Sequence, residues 1–589
     1  MSTLPNASAA APPSAVRRAL LEQTPAFKVV AGYSLIVSLM VLVPTWFMLE
    51  VYDRVVNSRN ERTLWMLFLA VLMAYVVMEL LDLARHRVLA RVGEALDVSL
   101  RERLFDAAFA ATLRRPGAGN VQTFTDLRTL RDFVSSPAVT AVFDAPAALV
   151  FLAFVSMISP WLGVMALIGA FLQLAIAWST ERRTMPLLTE ANKASIEAGG
   201  YAASALRNAQ VIESMGMIGA IHRRWQARQH KVLLAQAQAS DHAGLNATAT
   251  RQIQLMLGSL ILGASCWLQL QGLLPGSSGL MLVASILGAR VLLPLAQLVS
   301  LWRVVVNARD AMQRVDALLA AMPEAPPAMP LPPPKGNLAV EGVVAGAPGT
   351  PLPILKGVSF AMKPGEVVAV VGPSAAGKTT LARLLVGLWP SASGKVRLDG
   401  VDVFGWDKAE LGPHLGYLPQ NVELFEGTIG ENVARFGSVD EARVRDALRK
   451  VGMLEWVDSL PDGLHTRIGE EGAMLSGGQR QRVGIARAVF GNPRLVVLDE
   501  PNANLDEAGE AALLAMVREL KAGGAAVVVI THRTAVLPAC DKLLLLRDGT
   551  VGAFGPRDEV LQQLRQAAEQ VAKQAAGAAR PTAAAGVAT

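Results

Sequence analysis

Apolar residues fill the first half of the chain in six long runs and break into short bursts in the second half. The runs fall at roughly 28–49, 63–84, 138–158, 161–179, 253–272 and 279–301, each near the ~20 residues that cross a hydrocarbon layer as a helix. The polar stretches between them are unequal. Segments 159–160 and 273–278 are tiny and hold no Lys or Arg, whereas 85–137 and 180–252 are long and hold nine each. Basic loops stay on the cytoplasmic side, which places both termini in the cytoplasm and the tiny turns in the periplasm. The loop 50–62, with Arg54, Arg59 and Arg62, runs against this pattern. Inside the long basic segments, ALDVSLRERLFDAAFAATL (95–113) and LRNAQVIESMGMIGAIHRRW (206–225) keep apolar residues at helical spacing. This predicts membrane helices that continue far into the cytoplasm.

The pattern changes at MPEAPPAMPLPPPKG (322–336), a stretch that stays extended and marks a domain boundary. Beyond it, short β-branched runs such as VVAVVG (367–372), LVVLDE (495–500) and AVVVIT (526–531) alternate with helical patterns. That alternation predicts a parallel sheet covered by helices. The organisation read from the pattern is a disordered N-terminal tail (1–27), a six-helix membrane domain with cytoplasmic extensions (28–322), a Pro-rich linker (323–336), an α/β domain (337–560) and a low-complexity C-terminal tail (561–589).

Composition sharpens this. Of 589 residues, 52% are hydrophobic and 18% charged. Soluble domains carry about 25% charged residues, so part of the chain belongs in lipid. The net charge of +6 reads as cytoplasmic-face arginine. No motif supports a nucleic-acid partner. The two cysteines, Cys266 and Cys540, form neither a disulfide framework nor a metal-ligand spacing, which fits a reducing compartment for the soluble part.

The candidate chemistry lies in the second half. Gly372, Pro373, Ser374, Ala375, Ala376, Gly377, Lys378, Thr379 and Thr380 follow a strand and open a helix in the pattern of a phosphate-binding loop. Glycines let backbone N–H groups wrap phosphate oxygens, Lys378 neutralises β/γ charge and Thr379 is placed to ligate Mg²⁺. RLVVLDEP (494–501) is an apolar strand ending in two acids: Asp499 is suited to Mg²⁺ and Glu500 to deprotonating an attacking water. A solvated acidic pair is the ordinary explanation of one such strand end, but not of one placed about 120 residues after a phosphate loop. His532 ends a third strand within reach of a γ-phosphate. MLSGGQRQRVGIAR (474–487) offers a second anion cradle, Ser476, Gly477, Gly478 and Gln479 at the start of a helix.

The phosphate loop, Gln420, LSGGQ (475–479), LVVLDE, NLD (504–506) and His532, in that order over about 340–555, resemble ATP-binding cassette (ABC) ATPases. The resemblance implies that Gln420 senses the Mg²⁺ and water region and that Asp506 lines the contact between two cassettes. It also implies that LSGGQ of one chain closes on ATP held by the phosphate loop of another, so a homodimer sandwiches two ATP. Six spans ahead of the cassette, TRIGEEGAMLSGGQ (466–479) and QNVELFEGTIGENV (420–433) resemble ABC exporters. The fold class expected is therefore an α-helical six-span transmembrane domain of ABC exporter type followed by an α/β P-loop cassette.

MLEVYDRVVNSRNERTL (48–64), FDAP (143–146), LRNAQVIESMGM (206–217) and DEPNANLD (499–506) look like type I protein-secretion permease/ATPases, notably the protease-secretion (PrtD-like) branch. This implies a bacterial inner-membrane exporter of unfolded polypeptides that carry a C-terminal signal, working with a periplasmic membrane-fusion adaptor and a TolC-type outer-membrane channel. Export of lipid, drug or small peptide, and a membrane-tethered ATPase without cargo, remain open. One departure stands out. Between Gly336 and Phe360 there is no Phe, Tyr or Trp to stack on adenine. Within the spans, Asp144 and Arg290 are charges that tend to face a cavity or a partner, and they are candidates for the translocation path.

Overall fold

The computed structural model describes residues 14–114, 121–274, 279–323, 329–350, 352–469 and 472–566. Contacts divide the chain at Pro323/Glu324 into two compact units.

The first unit is helical. Six helices are long and apolar enough to span a membrane: Thr24–Ser58, Glu61–Arg114, Pro160–Arg207, Ile218–Leu270, Gly279–Ser300 and, third in order, Gln122–Ile158. A last helix, Trp302–Ala321, follows. Helices Glu61–Arg114, Pro160–Arg207 and Ile218–Leu270 run for 54, 48 and 53 residues. At 1.5 Å per residue each is about 70–80 Å long, more than twice the ~30 Å hydrocarbon layer. The stretch 95–113 is thus part of one continuous helix. The stretch 206–225 is not. The fourth span stops at Arg207, a short helix occupies Ala209–Ser214, and the fifth span begins at Ile218. Gly216, at φ 62°, donates its N–H to the Glu213 carbonyl, and the Met217 N–H reaches the Ile212 carbonyl at 2.8 Å. This left-handed closure ends the short helix and reverses the chain.

The N-terminal expectation also needs correction. Residues 1–13 lie outside the described residues, but Ala15–Glu22 is a helix and not a disordered tail. Ser14 caps it, and Val16 and Ala19, one turn apart, are buried in the same core as Leu89, Leu127 and Val315. The Ala/Pro composition around it hid an amphipathic turn. The loop 50–62 is mostly helix as well. The first span continues through a π-helical turn at Val51–Val55 to Ser58, where Arg59 adopts φ 52°. Arg54 is neutralised by Glu50 one turn back at 2.8 Å.

The second unit holds two sheets. Its strands are β1 (Leu338–Ala345), β2 (Leu355–Met362), β3 (Val367–Val371), β4 (Ser393–Leu398), β5 (Val401–Asp402), β6 (Leu415–Leu418), β7 (Leu495–Asp499), β8 (Ala526–Ile530), β9 (Lys542–Arg547) and β10 (Thr550–Pro556). A four-stranded sheet has the order β2-β1-β4-β5, and a six-stranded sheet has β10-β9-β3-β8-β7-β6. In the larger sheet β9, β3, β8, β7 and β6 are parallel and β10 is antiparallel. All five residues of β7 and of β8 are buried, because helices cover one face of the sheet, and helix Lys378–Leu385 with the four-stranded sheet covers the other. That is why these strands read as unbroken apolar runs and not as alternation. The linker is fixed at its far end: the amides of Lys335, Gly336 and Asn337 all donate to the Asp399 carboxylate, at 2.5, 3.1 and 3.1 Å.

Candidate active site

Ligands in open parallel sheets bind beyond the carboxyl ends of the strands. Four of the sequence candidates meet at that edge. β3 runs into the phosphate loop, β8 into His532, β7 into Glu500 and β6 into Gln420, and these four strands are neighbours in this order. The loop from Gly372 leads into helix Lys378–Leu385, with Gly377 as its N-cap at φ 100°. A side chain at Gly377 would be strained by that φ and would meet Leu355 at 2.7 Å. The Lys378 ammonium donates to the carbonyls of Gly372 and Pro373 at 2.8 and 2.9 Å, which holds it over the loop. Ser374 and Ala375 are exposed at the loop's crest, while Ala376 and Thr380 are buried beneath it.

Asp499 is 1% exposed, and both its carboxylate oxygens are buried without a hydrogen bond of normal geometry. Burial pushes its pKa up. The nearby Thr379 hydroxyl and the charges of Arg383 and Lys378 pull it down, and Glu500 pushes it up further. A buried carboxylate with free lone pairs beside a threonine hydroxyl fits a divalent cation. Glu500 sits at φ 50°, a conformation costly for a residue with a Cβ. Its N–H donates to the Ile530 carbonyl at 2.9 Å, and its own carbonyl accepts from Gln481 Nε2 at 3.3 Å. The bend aims the carboxylate off the strand. Gln420 Nε2 lies 3.5 Å from Glu500 Oε2, and His532 Nδ1 lies 3.4 Å from Oε1.

Ser476 caps helix Gly477–Val489 through a reciprocal box. Its N–H donates to Gln479 Oε1 at 2.9 Å and its Oγ accepts from the Gln479 N–H at 3.3 Å. Such a box is worth about 1 kcal/mol to the helix. Gly478 has no room for a side chain, since a Cβ would lie 2.8 Å from the Asn504 carbonyl. Asp506 caps helix Glu507–Ala522, accepting from the Gly509 N–H at 2.9 Å, and pairs with Arg482 on the LSGGQ helix. The Gly509 amide, helped by Arg482, holds the Asp506 carboxyl below its ordinary range. LSGGQ and NLD are therefore one assembly within the chain.

Sequence reasoning missed Gln481 and Arg482. Gln481 is 3% exposed and donates to the carbonyls of both Glu500 and Pro501, so it braces the bend that carries the carboxylate. Its type and spacing give no signal, because its partner is backbone brought close only by the fold. Where adenine-stacking aromatics are lacking, Ile354 and Leu355 lie against Gly377. Phe360 is core, packed on Phe554 with ring centroids 5.7 Å apart.

In the membrane unit, Asp144 is not a free charge. It accepts from Arg85 at 2.6 Å, and Arg85 also reaches Asp82 at 2.5 Å and Ser34 at 2.9 Å. Asp144, Arg85 and Asp82 line a cavity of about 190 Å³ together with Glu79, Gln297 and Arg290. Arg290 makes no ion pair among the described residues.

A phosphate loop, an acid pair and a glutamine at one edge of a parallel sheet, in a chain with six spanning helices, define a nucleotide-driven membrane ATPase. Comparison with known proteins agrees. The family model for the ABC transporter matches residues 355–503, and that for the ABC transporter transmembrane region matches 31–290. The type I secretion system ATP-binding protein PrsD of Rhizobium meliloti (strain 1021) is 38% identical over 93% of this chain and 94% of its own length. The cyclolysin secretion/processing ATP-binding protein CyaB of Bordetella pertussis is 29% identical over 90% of this chain and 75% of its own. A bacterial Atm1-family ABC exporter with ATP bound shares the fold, with a TM-score of 0.79 and 24% identity over 97% of this chain and 100% of its own. The chain belongs to the ABC transporters: it is an exporter-type ATPase coupled to transport.

Proposed function

We propose that this protein is the ABC component of a type I secretion system and exports an unfolded polypeptide across the bacterial inner membrane. The observation that carries this reading is the match to PrsD, which runs through membrane unit and cassette alike over 94% of that protein. CyaB and the exotoxin translocation protein PaxB of Pasteurella aerogenes, 26% identical over 92% of this chain, support it. Flippases for lipid A-core match only 40–43% of the chain, so the lipid-export alternative has weaker support.

The working unit is a homodimer. The phosphate loop of one chain holds ATP, and Ser476, Gly477, Gly478 and Gln479 of the other close over its γ-phosphate, where a helix N-terminus favours negative charge. Thr379, Asp499 and Gln420 would hold Mg²⁺, which supplies charge neutralisation at the β/γ oxygens when bound. The Glu500 carboxylate accepts the proton of the attacking water, and His532 and Gln420 fix that carboxylate and the water's position. Asp506 shapes the contact between cassettes through the LSGGQ helix. In the membrane unit, Arg290 faces the translocation path, and Asp144 contributes to its wall while tied to Arg85. A periplasmic membrane-fusion adaptor and a TolC-type channel carry the cargo onward, and the cargo bears a C-terminal signal.

The test is secretion in a strain lacking this protein, supplied with the cognate adaptor, channel and a candidate cargo. Wild-type protein restores cargo to the medium and Glu500→Gln does not. Equal secretion with Glu500→Gln overturns ATP-driven export.

A further inference from the structure

Two arginines in the cassette, Arg435 and Arg487, make no ion pair among the described residues and are held by backbone carbonyls. Arg435, at φ 58° just after helix Ile429–Val433, donates through Nε to the Arg487 carbonyl at 3.0 Å and through Nη2 to the carbonyls of Ala488 at 3.1 Å and Phe490 at 3.4 Å. Its Nη1 donates to the Gly412 carbonyl at 2.7 Å, just before β6. The last carbonyls of a helix have no partner of their own, so Arg435 closes the C-terminal end of the LSGGQ helix and ties it to the strand that leads to Gln420. Arg487, in the last turn of the same helix, donates Nη2 to the Glu423 carbonyl at 2.9 Å, three residues beyond Gln420. Its guanidinium faces the Phe425 ring at 5.6 Å, and its Nη1 is buried with no hydrogen-bond partner among the described residues. Asn432, fully buried, exchanges both of its amide groups with the Phe425 backbone at 2.9 Å and holds the segment after Gln420 from the other side.

Burial lowers both guanidinium pKa values; the neighbouring Arg487 adds to this for Arg435, while the Glu423 carboxylate works against it for Arg487. Neither guanidinium forms an ion pair at salt-bridge distance among the described residues, and through their carbonyl contacts the two arginines join two segments. One segment carries Gln420, which lies 3.5 Å from Glu500 at the chain's own phosphate loop. The other carries Ser476 at the opposite end of a 13-residue helix, about 20 Å away.

We infer that Arg487 and Arg435 are positioning residues that make the Gln420 segment and the LSGGQ helix move as one body, so that ATP at a chain's own phosphate loop sets the Ser476 that covers its partner's ATP. This rests on the two-chain reading of the site above. Arg487 is the direct strut and Arg435 anchors its far side. The joint links the two nucleotide sites of the dimer, and its expected signature is cooperative turnover.

The experiment uses the full chain in nanodiscs and measures ATP dissociation constant, kcat, Hill coefficient and melting temperature for wild type, Arg487→Gln, Arg487→Lys, Arg435→Met and Ser476→Arg. Arg487→Gln is expected to lower kcat at least about tenfold and bring the Hill coefficient from above 1 to about 1, with ATP affinity and melting temperature kept. Arg487→Lys, which can still donate to the Glu423 carbonyl, recovers part of the loss. If Arg435→Met does not fold, Arg487→Gln decides alone, because it leaves the Arg435 contacts to the helix end in place. Wild-type kcat and Hill coefficient in Arg487→Gln, or a loss of kcat that tracks ATP affinity or melting temperature, overturns the inference. If Ser476→Arg is also fully active, the two-chain site itself has failed.

Discussion

Arg85 reaches Asp144 at 2.6 Å across 59 positions of sequence and joins the second span to the third through an ion pair that is buried on the Arg85 side and half-buried on the Asp144 side. Its side chain is 7% exposed, and its Nε has no hydrogen-bond partner among the described residues. Removing Arg85 leaves two half-buried carboxylates uncompensated. Arg85→Ala is expected to cost about 2–3 kcal/mol, read as a fall in thermal midpoint of the purified protein. Arg85→Ala/Asp144→Ala should cost less than the two single changes added together. Additive losses would show that the pair is not coupled.

At the sheet edge, Glu500 is braced by Gln481 from behind while Gln420 and His532 stand in front. Glu500→Gln keeps the shape and removes the base. ATPase kcat is expected to fall by about 10²–10⁴-fold with ATP binding kept, as measured by steady-state phosphate release and nucleotide titration. Gln481→Ala removes the brace and leaves the base, so it should lower kcat by a smaller factor with no change in ATP affinity.

Ser476→Arg puts a long cation where the γ-phosphate of the partner's ATP is proposed to sit. ATPase should vanish while each chain still binds nucleotide. Mixed with Lys378→Ala chains, it should regain activity. A dimer of one chain of each kind keeps one phosphate loop facing one intact LSGGQ. No recovery on mixing would mean that each site is contained in one chain.

Glu366, before β3, accepts from Lys542 of β9 at 2.8 Å. Burial pushes its pKa up, but the Lys542 ammonium and the Lys363 amide outweigh that and hold it below the ordinary carboxylate value. A lowered acid pKa stabilises the folded state above the unfolded pKa, and the contribution disappears as pH falls through the folded value. Glu366→Gln should therefore cost about 1 kcal/mol at pH 7, and the gap between the two proteins should narrow as pH falls below the ordinary carboxylate value of about 4.3, in chemical denaturation of the whole chain.

The spans were legible because a helix in lipid must be apolar for its full length, and β7 and β8 because a strand covered on both faces must be apolar at every position. The phosphate loop, Asp499 and Glu500 were legible because backbone wrapping and metal ligation need fixed residue types at fixed spacing. The rest depended on distance in sequence. Arg85 and Asp144, Gln481 and Glu500, and Arg435 and the LSGGQ helix are brought together only by packing, and the side chains of Gln481 and Arg435 contact backbone carbonyls that carry no residue identity. The helix at Ala15–Glu22 had a signal, Ser14 before a helix-forming run, that the surrounding Ala and Pro concealed. The break at Asn208–Met217 fell within a helical pattern, where Gly216 was the sole sign of a turn.

Cargo movement coupled to ATP turnover is the central claim, and it is measured most directly in proteoliposomes. The protein is reconstituted with its cassettes outward, and a protease-sensitive unfolded cargo with its native C-terminus is added with ATP. Cargo should become protected inside the vesicles with wild-type protein and ATP, and should remain fully digestible with Glu500→Gln or without nucleotide. Protection that is equal with and without hydrolysis would contradict the account.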